Sequence, residues 1–388
     1  MAQPHLRPGV YPEEVVLKAP PVLQTGVPAF VGFVRPPPGG GTVAIGKPVA
    51  LRRKQDFDVQ FSGKPGKYLA DAVAGFFDNG GTRCYVVPAA ATPDPVQGLV
   101  DAIAALAPLD DLDLLAVPDA ISLLTLEGAA DKPAIARVQA EMLRHCAEQG
   151  NRFAILDSLP GASVEDVMTQ CQTFVVGQQE PVNGALYYPW LVTPTKRVPP
   201  CGHVAGIYRR TDVKTGVFKA PANEEVFGVL DLETPIDNAV QDKLNPARVN
   251  CLRAFPGRGI RVWGARTVGS VPPVYPEWLY VNVRRLFLTV RRWIDFNMGW
   301  ATFEPNEPRL WVRIVRELTT FLTKLLSDGA LKGATPAEAF FVKCDAENNP
   351  PEARDLGRVV IDIGLAPLSP AEFVVVRIVR RAGGTQDN

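Results

Sequence analysis

Histidine is nearly absent: three in 388 residues, His5, His145 and His203. Few positions can therefore carry the commonest general base or metal ligand, and no HExxH or comparable ligating spacing exists. His145 falls near a helix end, where a His facing water or the helix dipole is ordinary. Neither sign of charge is in excess, with Lys plus Arg at 41 and Asp plus Glu at 41. A neutral chain exerts no long-range pull on nucleic acid or an anionic membrane. The six cysteines, Cys84, Cys146, Cys171, Cys201, Cys251 and Cys344, include no CxxC pair and read as buried reduced thiols of a cytoplasmic product. No apolar run is long enough to cross a bilayer, and the opening MAQPHLRPGVYPEE lacks the apolar core of a signal peptide. There is no Asn-x-Ser/Thr sequon and no long internal repeat. A GxSxG elbow and a Walker A loop are missing too; Gly63 to Tyr68 (GKPGKY) has the wrong spacing for the latter. Pro256 to Gly264 (PGRGIRVWG) joins two strand-like runs, so it reads as a tight hairpin rather than a phosphate cradle. Asp110, Asp111 and Asp113 crowd one loop and read as a solvated turn.

What is present is apolar bulk. Hydrophobic residues make up 46% of the chain, enough for a large core and two or more units. The 37 prolines and 33 glycines favour turns and extended connections. Residues 1 to 21 carry Pro at 4, 8, 12, 20 and 21 and read as an extended arm, with Val10 to Leu17 able to form a strand. Val10, Tyr11, Val15, Val16 and Leu17 are poor residues for a solvated tail. Twenty extended residues reach roughly 65 Å, enough to touch a neighbouring molecule.

Beyond the arm the pattern alternates. Strands are predicted at Pro28 to Val34, residues 43 to 51, Cys84 to Val87, Leu112 to Val117, Phe153 to Asp157 and Ala185 to Val192. Helices are predicted at Lys67 to Asn79, Pro95 to Ala107, Asp131 to Gln149 and Ser163 to Val176, with Asp131 as an N-cap and Gly80 and Gly150 as stops. This spacing indicates a mostly parallel α/β layer.

The C-terminal third concentrates large side chains, with four of the six tryptophans between Trp278 and Trp311. On Asn282 to Met298, Leu286, Val290, Trp293, Ile294 and Met298 form one stripe, while Arg284, Arg285, Arg291 and Arg292 lie off it. Asn306 is the expected N-cap of a second helix, whose stripe is Leu310, Ile314, Leu318, Phe321 and Leu325 and which Gly329 stops. Strands follow at Phe340 to Lys343, Val359 to Gly364 and Phe373 to Val379.

Several blocks carry a resemblance. They are PGVYPEEV in the arm, His203 to Gly206, Lys219 to Asn223, Leu244 to Pro246, Gly257 to Thr267, Tyr280 to Phe287 (YVNVRRLF), Phe303 to Asn306 (FEPN), Gly333 to Pro336 with Phe340 to Val342, Gly357-Arg358 and Pro370 to Val374. In this order they resemble contractile tail sheath proteins, the subunits of phage tails, R-type bacteriocins and extracellular contractile injection systems. The match runs over residues 200 to 380; residues 22 to 195 offer only the α/β pattern.

The resemblance implies a helical homopolymer around an inner tube, docked on baseplate and cap proteins, that shortens to drive the tube through a target envelope. The residues themselves, with few histidines, no motif spacing and no net charge, lead us to expect no enzyme activity, no cofactor, no metal, no nucleic-acid partner and no membrane insertion. Assembly would take place in the bacterial cytoplasm, and the mature particle would be a virion tail or a released injection particle. The expected fold is mixed α/β: an arm at 1–21, an α/β region at 22–270 with a surface-facing subdomain around 90–195, a helix-plus-strand domain at 271–369, and an arm strand at 370–388. Phe373, Val374, Val375, Val376 and Ile378 of one arm and Val10 to Leu17 of the other would add to a neighbour's sheet. The acceptor would be Phe340, Phe341, Val342, Val359, Ile361 and Ile363. Arg284, Arg285, Arg291 and Arg292 are candidates for charge contacts to the tube or a neighbour. Two alternatives stand beside this: a specialised sheath paralogue at the baseplate or cap, and a doubly wound α/β enzyme with a ligand at its C-terminal strand ends.

Overall fold

The computed structural model describes residues 23–37, 39–63, 67–124, 129–174, 182–269 and 274–372. The two predicted arm strands, Val10 to Leu17 and Phe373 to Val379, and His5 lie outside the described residues.

Strands β1 (Pro28–Gly32), β2 (Val34–Arg35) and β3 (Val49–Leu51) lead to α1 (Gln55–Gln60), β4 (Ser62–Gly63) and α2 (Leu69–Asp78). Strand and helix then alternate through β5 (Cys84–Pro88), α3 (Pro95–Ala104), β6 (Leu114–Ala116), α4 (Lys132–Gln149), β7 (Phe153–Asp157), α5 (Val164–Thr173) and β8 (Gly184–Tyr188). Next come β9 (Leu191–Val192), β10 (Arg197–Val198), α6 (Cys201–Lys214), β11 (Asp231–Leu232), α7 (Asn238–Leu244), and the hairpin of β12 (Val249–Phe255) and β13 (Gly259–Trp263). The last part holds α8 (Val281–Asn297), α9 (Pro308–Ser327), α10 (Pro336–Ala339), β14 (Phe340–Lys343), α11 (Pro351–Asp355) and β15 (Asp362–Leu365).

One sheet organises the body, in the order β13-β12-β8-β7-β6-β1-β5-β3. Its inner strands run parallel, and antiparallel β13 and β3 close the two edges. Both faces are covered, which is why PAFVG, CYVVP, FAILD and GALYY are apolar but for the closing Asp157 and a few tyrosine hydroxyls, and are buried at every residue. Alternate side chains feed opposite cores. Val31, Val87, Leu115, Leu156 and Leu186 meet α3, α4, α5 and α7 on one face. Phe30, Val86, Leu114, Phe153 and Tyr187 meet α2, α6 and α8 on the other. Residues 90–195, expected as a surface-facing subdomain, supply β6, β7 and β8 at the centre of this same sheet.

Local chemistry explains the ends. Asp131 caps α4 by accepting from Ala134 N, and Gly150 ends it at φ +62°. Ser163 and Asp166 form a reciprocal capping box on α5. Gly257 and Gly259, at φ +70° and +73°, turn the β12–β13 hairpin. Helices α2 and α6 cross almost backbone to backbone: a Cβ on Gly202 would lie 2.2 Å from the carbonyl oxygen of Ala72.

Four expectations are corrected. The strand read at residues 43 to 51 is cut to Val49–Leu51, because Gly46 turns at φ +71° and gives its N–H to Pro88 O. Ala185 to Val192 is two strands in two sheets, interrupted at Pro189, which has no N–H to give. Asn306 does not cap α9; its amide donates to Arg358 O and accepts from Trp311 Nε1, and Glu307 stands at the cap with Pro308 beginning the helix. Val359 to Gly364 shortens to Asp362–Leu365 because the Asn349 side chain takes both polar groups of the Val360 backbone, at 2.6 and 3.0 Å.

Candidate subunit-contact site

Helix α8 begins VNVRR after Tyr280 and buries nearly every turn, so its arginines must find partners inside. Arg285, 2% exposed, forks onto the Asp212 carboxylate at 2.8 and 2.6 Å, reaches Asp113 at 3.2 Å and lies over the Tyr208 ring. Burial works against the Arg285 charge, and Asp212 and Asp113 more than offset it, holding its pKa above the ordinary value. Burial raises the Asp212 pKa, with Arg285 pulling it back. Asp113 also accepts from the N–H groups of Gly26 and Val27 at 2.9 and 2.7 Å. Arg292, 4% exposed, donates to Gln24 O at 3.0 Å, and Arg209 donates to Thr25 O at 2.7 Å. The charged cluster thus clamps residues 24 to 27, the root of the N-terminal segment.

Sequence reasoning put Arg285 and Arg292 among outward contacts; the structure turns both inward. Arg284 is half-buried, donating to Asn183 Oδ1 at 2.6 Å and lying over Trp278. Arg291 is exposed beside Gly150. Asp113, read as part of a solvated turn, is buried and central. Its partners lie 86, 87 and 172 residues away, so no local signal could have marked it.

The other end of α8 holds the chain's departure. Asn282 donates to Leu368 O at 3.1 Å and to Phe218 O at 2.8 Å. Arg266 grips Glu372 through two bonds, at 3.1 and 2.5 Å. From Asn282 to Arg292 is about 15 Å along a helix, so one rod anchors both terminal segments.

Strands β14 and β15 pair antiparallel, with Phe340 opposite Leu365 and Val342 opposite Ile363. Among the described residues they form a sheet of two, so each strand has an edge that no third strand pairs. Phe340, Val342, Ile363 and Leu365 pack toward α8 and α9, while Phe341 is 59% exposed. Val359 and Ile361 lie outside β15 and pack with Trp311, Ile314 and Leu318. Five of the six predicted acceptor residues thus pack over α9, with Phe340 and Val342 in β14 and Ile363 in β15, while Phe341 of β14 faces outward.

The ligand position expected of a doubly wound enzyme holds a side chain of the chain itself. At the C-terminal ends of β1 and β6, the Asp119 carboxylate accepts from Phe33 N and from Tyr68 N and Leu69 N at the start of α2. Helix α2 therefore offers its first N–H groups to an internal carboxylate, where a bound anion would otherwise sit. Burial pushes Asp119 up to about 6, against the pull of those N–H groups and Lys67. His145 is buried, lies 2.7 Å from Arg152 Nη1 and is pushed down to about 4 by burial and then by Arg152, so it is a neutral packing group rather than a solvated one. His203 packs on Gly75 in the α2–α6 crossing and is likewise held near 4, by burial. All six cysteines are free and buried. Among the described residues no group of three His, Cys, Asp or Glu could hold a metal, and no helix is long and apolar enough to cross a membrane.

These features define a class: a doubly wound α/β body joined to a helix-and-hairpin unit whose first helix holds residues 24 and 368. The phage tail sheath protein central domain matches residues 96–268, and the phage tail sheath C-terminal domain matches residues 274–381. The chain belongs to the phage tail sheath family. The tail sheath protein of Burkholderia phage BcepMu is 27% identical over 180 residues, 45% of this chain and 36% of that protein, so the chain spans little more than a third of this relative's length. Two solved structures match almost end to end. A chain of the anti-feeding prophage baseplate has a TM-score of 0.75 and 28% identity, over 97% of this chain and 99% of that one. A chain of the contracted PVC sheath complex, an extracellular contractile injection system, has a TM-score of 0.72 and 25% identity, over 98% and 99%.

Proposed function

We propose that this chain is the structural subunit of a contractile sheath. It polymerises helically around an inner tube, docks on baseplate and cap proteins, and shortens to drive the tube through an envelope. The observation that carries this is the near end-to-end likeness to the contracted PVC sheath chain. The geometry supports a linkage in which residues 1–21 and 370–388 add to the open edges of β14 and β15 in neighbouring copies. Head-to-tail exchange of this kind does not close, so it yields filaments. With Arg285 and Arg292 committed inside, charge contacts to the tube or a neighbour fall to Arg291 and to the exposed Arg309, Arg313 and Arg316 of α9. The self-filled crevice at Asp119 supports a structural rather than catalytic role.

The likeness to the anti-feeding prophage baseplate chain favours a second reading, a paralogue confined to a ring near the baseplate. Negative-stain electron microscopy of the purified chain, alone and with its tube protein, separates the two. Long ridged tubes are expected for the main sheath and single short rings for the paralogue. Small closed oligomers under both conditions would overturn both readings.

A further inference from the structure

Between α8 and α9 runs an open groove of about 700 Å³. Leu286 and Val290 line one wall, and Phe321 and Leu325 the other. Trp293 and Phe321 stack face to face across it, 3.9 Å between ring centres and 3° from parallel. Leu23, where the described chain begins, is itself part of the lining, and the next carbonyl, Gln24 O, is bound by Arg292 of α8. The residues before Leu23 read Lys18-Ala19-Pro20-Pro21-Val22.

From this juxtaposition we propose that the groove is the seat of residues 18–22 of the same chain, lying as a polyproline segment across the Trp293–Phe321 pair. Three things support it. Covalent continuity with Leu23 delivers these residues to the groove at very high effective concentration. Lengths are compatible: Arg292, which holds Gln24 O, stands about 9 Å of helix from Leu286 at the end of the lining, and five polyproline residues span about 15 Å, enough to cross the Trp293–Phe321 pair. Chemistry agrees as well, since Ala-Pro-Pro-Val is apolar, loses little freedom on docking and suits an aromatic-lined groove. Seated there, residues 18–22 set the direction in which residues 1–17 leave the body. This goes beyond the sheath reading and does not need the polymer.

Hydroxyl-radical footprinting of the full chain at sub-micromolar concentration tests it, with oxidation of Trp293 read by mass spectrometry. We expect Trp293 to be protected in the wild type and several-fold more reactive in Pro20→Asp/Pro21→Asp and in Thr320→Arg, the latter at the groove rim. Circular dichroism and an unchanged footprint at buried Trp190 certify the fold. Equal Trp293 labelling in all three proteins would overturn the proposal. So would protection that disappears on dilution, which would assign the groove to a second copy.

Discussion

Arg285→Met is the sharpest test of the clamp beneath α8. The substitution keeps a long apolar stem but removes the guanidinium that bridges Asp212 and Asp113. Both carboxylates are buried, with side-chain exposures of 1% and 6%. Asp113 keeps its two backbone donors and the more distant Arg292 at 3.9 Å, whereas Asp212 loses the fork that neutralises it. Breaking a buried pair by removing one partner costs about 3–5 kcal/mol. The double variant Arg285→Met/Asp212→Leu leaves no orphaned charge at Asp212 and is expected to recover most of that loss, since an apolar replacement of a buried pair is often nearly neutral. Urea unfolding at pH 7 of the wild type, both single variants and the double variant gives the cycle. A second readout is local: amide exchange at Gly26 and Val27 should speed up in Arg285→Met, because their acceptor Asp113 loses its nearer charged partner, at 3.2 Å. An Arg285→Met unfolding free energy within about 1 kcal/mol of wild type, or a double variant no better than the single, would refute the reasoning.

Three further outcomes are expected. Burial holds Asp157 at about 7, above the unfolded value near 3.9, so the native state binds more protons between these values and stability falls as pH rises through them. Asp157→Asn should therefore gain on wild type by up to about 4 kcal/mol by pH 8 and show no difference near pH 4; thermal melts across pH check this, and a gap that narrows as pH rises would contradict it. Gly202→Ala drives a methyl into the Ala72 backbone and should cost about 3 kcal/mol or more, whereas Gly39→Ala, with nothing within 4 Å, should change the melting temperature little. Removing residues 1–18 or 370–388 should abolish polymer formation in sedimentation and microscopy while leaving the circular dichroism of a folded monomer; normal tubes from either truncation would remove the arm-exchange mechanism.

Much of the body could be read from local pattern, because its determinants are local. Uninterrupted apolar runs gave β1, β5 and β7; Asp131, Ser163 and Gly150 act within a few residues of themselves; and the two glycines at the β12–β13 turn dictate a hairpin by backbone freedom alone. The failures share a physical cause. Arg285 and Arg292 lie off the apolar stripe of α8, which on a helix with one wet face means solvent, but α8 is packed on several sides and its charges answer to carboxylates remote in sequence. Asn306 has the chemistry of a cap and spends it on Trp311 and Arg358. Val359 and Ile361 have strand composition, and a single asparagine side chain, Asn349, takes the hydrogen bonds a strand would need.

Gln24 and Leu368 are both tied to α8, at positions ten residues apart, so a pull between them has a route through that helix. The covalent route runs from residue 27 straight into β1, inside the eight-stranded sheet. Mechanically the helix is a strut set in parallel with the sheet, taking a share of a load that would otherwise fall on β1 alone.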